Sequence, residues 1–402
     1  MAELRINQDQ ISDNAKVIAI CPFGAIQEKE ESLIITAECR MCMLCVKNGP
    51  PGAFVLVEKT REKANLELWK NIIIFAEINN GSIHPVTYEL IGKAKKLVSK
   101  VAQKIIVLLI GSELEVSINR IKEYGVDKII AYSDTGLKEY MIEPYTAVFE
   151  DLVKYEKPGI ILIGGTVTGR NLAPRVAARL RTGLTADCTQ LDIQQNNDLD
   201  QIRPAFGGNI MAHIRTSGGR PQMATVRYKV FNKPEKIENA DCIVEYREVV
   251  PAMLHSRMKI IEITDKELGI KIEDAEVIVA VGNGIRKKED LQMIFQLAEV
   301  LKAQVAGTRL VIEKGWIDPR RQIGLSGRTV RPQLIITCGI SGSVQFVAGM
   351  QGAETIIAIN KDENAPIFKI AHHGFVGDLY ILLPLVLHEI ISNRGPKCII
   401  SL

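Results

Sequence analysis

Apolar residues gather in short runs rich in β-branched side chains, among them Asn71-Ile-Ile-Ile-Phe-Ala-Glu77, Lys104-Ile-Ile-Val-Leu-Leu-Ile110, Lys128-Ile-Ile-Ala-Tyr132 and Gly159-Ile-Ile-Leu-Ile-Gly164. Helix-length segments of mixed polarity separate them. Runs that are apolar on both faces and alternate with such segments predict βαβ units, hence a parallel sheet covered on both sides. The pattern returns in Ala275-Glu-Val-Ile-Val-Ala-Val-Gly282, Leu334-Ile-Ile-Thr-Cys338 and Thr355-Ile-Ile-Ala-Ile359, with a helical stretch over 287–301. Between the two sets, residues 185–250 carry antiparallel-looking runs with turns at Gly207-Gly208 and Ser217-Gly218-Gly219. Charged residues over 58–63 and a polar stretch over 266–274 break the pattern and read as boundaries. The expected fold is α/β: two doubly wound, mostly parallel-sheet domains over 66–264 and 265–402, behind a small α+β domain over 1–62.

Length agrees, since 402 residues exceed one domain of about 100–200 residues. Fifty Lys and Arg against 47 Asp and Glu give a net charge of +3, which leaves no basic stripe for nucleic acid. No apolar run approaches the roughly 20 residues of a membrane span. The first ten residues include Glu3, Arg5 and Asp9 and lack the apolar stretch of a secretory signal, so a cytoplasmic location is expected.

The eight cysteines change the picture of the first segment. Cys21, Cys39, Cys42 and Cys45 crowd together, while Cys188, Cys242, Cys338 and Cys398 are scattered. Clustered thiols in a reducing compartment point to metal or redox use. Cys39-Arg-Met-Cys42-Met-Leu-Cys45 is a C-x₂-C-x₂-C run, and Cys21 precedes Pro22. This resembles the bacterial ferredoxin ligand pattern, in which the fourth cysteine of each run serves the other cluster. Cys21 with Cys39, Cys42 and Cys45 makes one complete set, whereas the other set's positions hold Ile11, Asn14, Val17 and Gly49. The segment therefore resembles a degenerate ferredoxin-like domain that keeps one [4Fe–4S] cluster and has lost the other. A structural Cys₄ zinc site remains the alternative, although zinc motifs usually bring two C-x₂₋₄-C pairs.

Candidate ligand loops follow the later strands. Gly164-Gly165-Thr166 leads into a helix from Gly169, an arrangement that either holds a phosphate or simply turns the chain. Gly282-Asn283-Gly284 lacks the third glycine of a dinucleotide fingerprint, where Lys287 stands. The run Gly339-Ile-Ser341-Gly342-Ser-Val-Gln345 follows a strand directly. Its glycines let the backbone approach a ligand, Ser341 can cap the next helix, and first-turn N–H groups suit a pyrophosphate. Gln322-Ile-Gly324-Leu-Ser326-Gly327-Arg328-Thr-Val-Arg331-Pro332 is dense in donors, as befits an anionic ligand or a solvated loop.

These last motifs, together with Gln351-Gly-Ala-Glu-Thr-Ile-Ile-Ala-Ile-Asn360-Lys-Asp362 and Ala365-Pro-Ile-Phe368, resemble the electron-transfer flavoprotein α subunit. The resemblance implies FAD in the last domain, with Thr308 and Arg309 near the isoalloxazine and Ser326 donating at its reactive nitrogen. By the same resemblance Gln322, Gln345 and Ser341 hold ring edge, ribityl chain and pyrophosphate, and Asn360 and Asp378 contact the adenosine end. Gly324, Gly327, Gly339 and Gly342 belong to those cofactor loops. Phe346, Gly284 and His372-His373 depart from the family pattern.

The resemblance also implies partners: a β subunit, a flavin-dependent dehydrogenase of the acyl- or enoyl-CoA or the 2-hydroxy-acid type, and ferredoxin. Relatives with such an appended cluster domain belong to complexes that bifurcate electrons from NADH, on a second flavin in the β subunit. The alternative is a non-redox AMP- or FAD-binding interaction subunit with a structural metal site. A hydrolase or transferase finds no Ser-His-Asp, P-loop or paired-carboxylate motif.

Overall fold

Residues 1–65 form one compact unit and residues 66–402 another. The structure, a computed structural model, describes residues 2–29, 32–36, 39–58, 66–205, 210–216, 218–237, 241–264 and 271–392. Most of the boundary expected over 58–63, the 266–270 part of the second boundary, the turn residues Gly207, Gly208 and Ser217, and Cys398 lie outside the described residues.

In the first unit, β1 (Ala2–Ile6), α1 (Asn14–Ala19), β2 (Ile26–Lys29), β3 (Ser32–Ile35), α2 (Leu44–Asn48) and β4 (Phe54–Glu58) follow in turn. β1 pairs antiparallel with β4, and β2 with β3. Asp13 caps α1, accepting from Lys16 N at 3.1 Å. Leu4, Val17, Ile26, Leu33, Cys45, Ala53 and Phe54 make the core.

The second unit opens with β5 (Lys70–Ala76), the short hairpin β6 (Ile78–Asn79) and β7 (Ser82–Ile83), α3 (Val86–Val98), β8 (Ile105–Gly111), α4 (Glu115–Lys122), β9 (Lys128–Ser133), α5 (Ile142–Glu156), β10 (Pro158–Gly164) and α6 (Val167–Leu180). Then come β11 (Leu184–Cys188), β12 (Gln190–Ile193), β13 (Leu199–Ala205), β14 (Ile210–Ile214), β15 (Gln222–Val226) and β16 (Ile243–Arg247). A seven-stranded, wholly parallel sheet runs β11-β15-β10-β5-β8-β9-β16. β8, β10 and β15 are buried throughout, as strands with helices on both faces must be. The antiparallel reading of residues 185–250 is therefore corrected: only β12, β13 and β14 form an antiparallel sheet, while β11, β15 and β16 join the parallel one.

The remaining elements are β17 (Val277–Val281), α7 (Leu291–Val300), β18 (Gln304–Gly307), α8 (Arg309–Glu313), β19 (Leu334–Cys338), α9 (Val344–Val347), β20 (Thr355–Asn360), β21 (His373–Val376) and α10 (Leu379–Ser392). They build a five-stranded parallel sheet in the order β18-β17-β19-β20-β21. The fold is thus α/β with two doubly wound parallel sheets. Among the described residues, no helix is long and apolar enough to cross a membrane.

Candidate functional site

The chain enters the five-stranded sheet at β17, steps to β18 on one side, then crosses back to β19 on the other. Open α/β sheets bind ligands at such a reversal, beyond the carboxyl ends of the strands. Here the ends of β17 and β19 are tied backbone to backbone: Gly282 N donates to Cys338 O at 2.9 Å and Gly284 N to Gly339 O at 3.0 Å. Gly339 takes φ +63°, and a Cβ on it would lie 2.8 Å from the Gly284 Cα. Gly342 takes φ +83°, with its absent Cβ 2.3 Å from the Ile367 N. Only glycine fits either position.

The donor-rich loop meets this edge from the side of β18. Gly307 forms a parallel bridge with Gln322, and Ile323 N donates to Gly307 O at 3.0 Å, so Thr308 and Arg309 stand next to Gln322. Gln322 Nε2 donates to Ser326 Oγ at 2.8 Å. Gly327 N closes the turn on Gly324 O at 3.0 Å, and Leu325 N donates to Gln345 O at 2.9 Å. Gln322, Gly324, Ser326, Gly327 and Gln345 are therefore one cluster. Asn360 ends β20, where its Nδ2 donates to Ile340 O at 2.8 Å and braces the loop that carries Ser341.

Two placements differ from expectation. Ser343, not Ser341, caps α9, its Oγ accepting from Phe346 N at 3.4 Å; Ser341 is left exposed. Arg309 is exposed and reaches along α8 to Glu313, Nε to Oε1 at 2.7 Å. Asp378 accepts from Tyr380 N at 2.9 Å and from Arg286 Nη2 at 3.2 Å. Sequence reasoning missed Arg286, whose guanidinium also lies 4.8 Å from the centroid of the Tyr380 ring. Its signal was present: an arginine two residues beyond Gly284 in the β17 turn. Phe346 is buried in the core beneath the loop, and His372 Nδ1 accepts from Ile356 N at 2.9 Å.

The seven-stranded sheet reverses too, between β5 and β10. There Thr166 caps α6, its Oγ1 accepting from Gly169 N at 3.0 Å while donating to Glu77 Oε2. Glu77 is only 4% exposed, so this helix N-terminus already faces a carboxylate of the protein itself, which disfavours an added phosphate. A cavity of about 600 Å³ lies in front, lined by Glu77, His84, Thr166, Tyr228, Lys271 and Arg328 among others. None of the twelve expected flavin residues lines it.

In the first unit, Cys21, Cys39, Cys42 and Cys45 all line one cavity of about 20 Å³, walled by Leu4, Ile26, Met43 and Leu44. Met41 and Met43 hold left-handed backbone, φ 51° and 62°, which coils the loop around the thiols. Ala25 N donates to Cys21 Sγ at 3.4 Å. Burial pushes the Cys45 thiol up, and Cys39 and Cys42 add to the effect. Among the described residues, no three His, Cys, Asp or Glu side chains form a group that could hold a metal ion.

Comparison with known proteins places matches on both parallel sheets. Residues 72–252 match the electron transfer flavoprotein domain and residues 271–351 the electron transfer flavoprotein FAD-binding domain. The chain is 49% identical over 399 residues to lactate dehydrogenase (NAD(+),ferredoxin) subunit LctC of Acetobacterium woodii, covering 99% of this chain and 95% of that one. It is 45% identical to Protein FixB of Clostridium saccharobutylicum, covering 82% and 99%. Acryloyl-CoA reductase electron transfer subunit beta of Anaerotignum propionicum is 39% identical, covering 83% and 98%.

Proposed function

The chain belongs to the electron transfer flavoprotein family as an alpha-type subunit, and from that premise we propose that it carries electrons between FAD in its last domain and a [4Fe–4S] cluster in its first. The assembly we propose is cytoplasmic and holds a β subunit that bifurcates electrons from NADH, a 2-hydroxy-acid dehydrogenase, and ferredoxin as low-potential partner. One observation carries the reading: the FAD-binding match over 271–351 falls on the sheet whose reversal point is lined by Gly282, Gly284 and Gly339 and faced by Gln322 and Ser326. We read the chain as three modules, 1–62, 66–264 and 265–402.

The donor set suits the cofactor. Bound FAD would supply one- and two-electron chemistry. Gly339 and Gly342 would leave room for the pyrophosphate, with Ser341 and Gln345 exposed nearby. Ser326, hydrogen-bonded by Gln322, would offer its hydroxyl to the ring. Thr308 and Arg309 would serve the same part of the cofactor, where a guanidinium favours negative charge on a reduced ring. Asn360 and Asp378 would hold the adenosine end.

For the first unit, Cys21, Cys39, Cys42 and Cys45 would hold the cluster, which supplies a one-electron store. Zinc needs all four sulfurs within about 2.3 Å of one centre, whereas a polynuclear cluster spreads its thiolates over separate irons. All four cysteines line one cavity, and the C-x₂-C-x₂-C run with a distant Cys-Pro, rather than two C-x₂₋₄-C pairs, favours the latter. The relative named for NAD(+) and ferredoxin matches 99% of the chain, cysteine segment included, which favours a lactate-type dehydrogenase over the acryloyl-CoA type.

Anaerobic purification of the full chain tests this. Acid extraction should release one FAD per chain, with iron and sulfide in equal amounts. A colourless protein retaining zinc would return the non-redox reading. Mass spectrometry of co-purified subunits should find a 2-hydroxy-acid dehydrogenase, and an acyl-CoA dehydrogenase in its place would overturn the partner assignment.

A further inference from the structure

Arg227 follows β15 directly, and its side chain is 12% exposed. Its Nη2 donates to the backbone carbonyl of Leu325 at 2.6 Å, inside the turn between Gln322 and Ser326. The nearest carboxylate, Asp187, is 3.9 Å away and already engaged by Arg170, through Nε at 2.9 Å and Nη2 at 3.2 Å. Arg227 Nε is buried with no hydrogen-bond partner. Burial first, then the like charges of Arg170 and Arg203, depress its pKa against the pull of Asp187. Two guanidinium groups, those of Arg170 and Arg227, thus share Asp187, and the charge of Arg203 opposes Arg227 as well, an arrangement that ion pairing alone does not explain.

Further ties leave the same segment, among them a loose ion pair of Lys229 with Asp274 at 3.9 Å. Tyr228 OH donates to Asp274 Oδ1 at 3.1 Å, and Asn232 Oδ1 accepts from Arg331 Nη1 at 2.9 Å. Both hydrogen bonds are exposed, whereas the Arg227 tie is part-buried and ends on the turn itself. Leu325 is gripped on both sides, its N–H by the Gln345 carbonyl and its C=O by Arg227.

We propose that Arg227 is a positioning residue for the flavin site: from the seven-stranded sheet it pins the Gln322–Ser326 turn by the Leu325 carbonyl, and it sets a buried positive charge beneath that turn. It touches no cofactor and acts through Leu325. The inference rests on the reading of Gln322 and Ser326 as flavin-facing residues.

The test uses the full chain with its flavin, comparing wild type, Arg227→Met, Arg227→Lys and Asn232→Ala. Amide exchange over 322–328 reads the pinning, through the N–H groups of Leu325, Gly327 and Arg328. The flavin midpoint potential and FAD retention on dilution read the consequence. Arg227→Met should speed exchange in that turn about tenfold or more, lower the potential and weaken FAD retention. Arg227→Lys, which keeps the charge and one donor, should recover most of the potential, and Asn232→Ala should match wild type in all three. If Arg227→Met proves insoluble, Arg227→Lys still shows raised exchange confined to 322–328. Wild-type exchange in either Arg227 variant, or a rise spread evenly over the unit, overturns the inference. A wild-type chain without extractable FAD overturns the flavin reading instead, while the exchange measurement still decides the pinning.

Discussion

Among the described residues, the largest buried cluster of the first unit is small, seven side chains from Leu4 to Phe54, whereas the seven-stranded sheet of the second is packed on both faces by clusters that include Ile72, Leu90, Leu109 and Ile129 on one side and Phe75, Leu108, Tyr132 and Phe149 on the other. A unit of about 60 residues rarely gains more than a few kcal/mol from its core and usually needs a staple. One member of that cluster is itself a cysteine, Cys45. On the proposed reading, the difference sets the two cofactors in opposite senses toward their protein: a cluster would complete the first unit, whereas the flavin would be a guest on a second unit whose core needs no cofactor to close.

Cys42→Ser tests this at its largest. Cys42 is exposed, so the change removes no buried contact, and a loss of structure would be that of the proposed cluster. Iron should be lost, and amides over 2–58 should exchange nearly without protection, because binding energy at such sites is folding energy. Amides over 66–392 should exchange as in wild type, with FAD retained. A first unit that keeps its protection without iron would break the comparison.

Gly342→Val applies the opposite test. Positive φ costs a branched residue roughly 1–3 kcal/mol, and forcing a Cβ to 2.3 Å from Ile367 N adds about 1–3 kcal/mol of overpacking. FAD should be lost and the melting temperature of the second unit lowered, while its sheets remain folded by circular dichroism and the iron content is unchanged. Global unfolding of the second unit would show that the flavin is no guest.

Glu89, on α3, sharpens the contrast further, since it tunes the second unit with no cofactor involved. Burial pushes its pKa up to about 7, even though it accepts from Lys229 N at 3.2 Å and Phe231 N at 3.4 Å. A carboxyl that binds its proton more tightly when folded loses stability as pH rises from its ordinary value through 7. Between about pH 4.5 and 7, stability of the second unit should therefore fall with pH, by on the order of 1–3 kcal/mol. Glu89→Gln should flatten that slope in urea melts, and an unchanged slope would remove Glu89 from the account.

Much of this contrast was legible in the sequence. Runs such as Ile105 to Ile110 and Leu334 to Cys338 are apolar on both faces, and the structure puts them in parallel sheets within a residue or so. β11 and β15 were hidden because Thr185 and Gln222 break the apolar pattern, yet both are buried in the sheet. The glycines of the five-stranded crevice announced themselves, because a close backbone approach excludes every other residue. Ser343 as the cap, Arg286 on Asp378 and Arg227 on Leu325 did not, because each depends on a loop geometry or a contact across many residues that no local pattern records.

Arg309→Ala carries the smallest expected effect. The Arg309 side chain is exposed and paired with Glu313, so its removal should leave the melting temperature of the second unit in place. What it should change is the charge at the ring edge: a partly screened guanidinium contributes on the order of 30–60 mV to a one-electron couple, and its loss should lower the flavin potential by that much. A cluster on the proposed cysteines should keep its potential, because its levers would be the peptide N–H on Cys21 and the apolar wall of Met43 and Leu44. Redox titration of the same sample at the flavin and iron–sulfur absorbances separates the two. A shift in both would mean that the units share one electrostatic environment, and the division between stapling cluster and guest flavin would have to be redrawn.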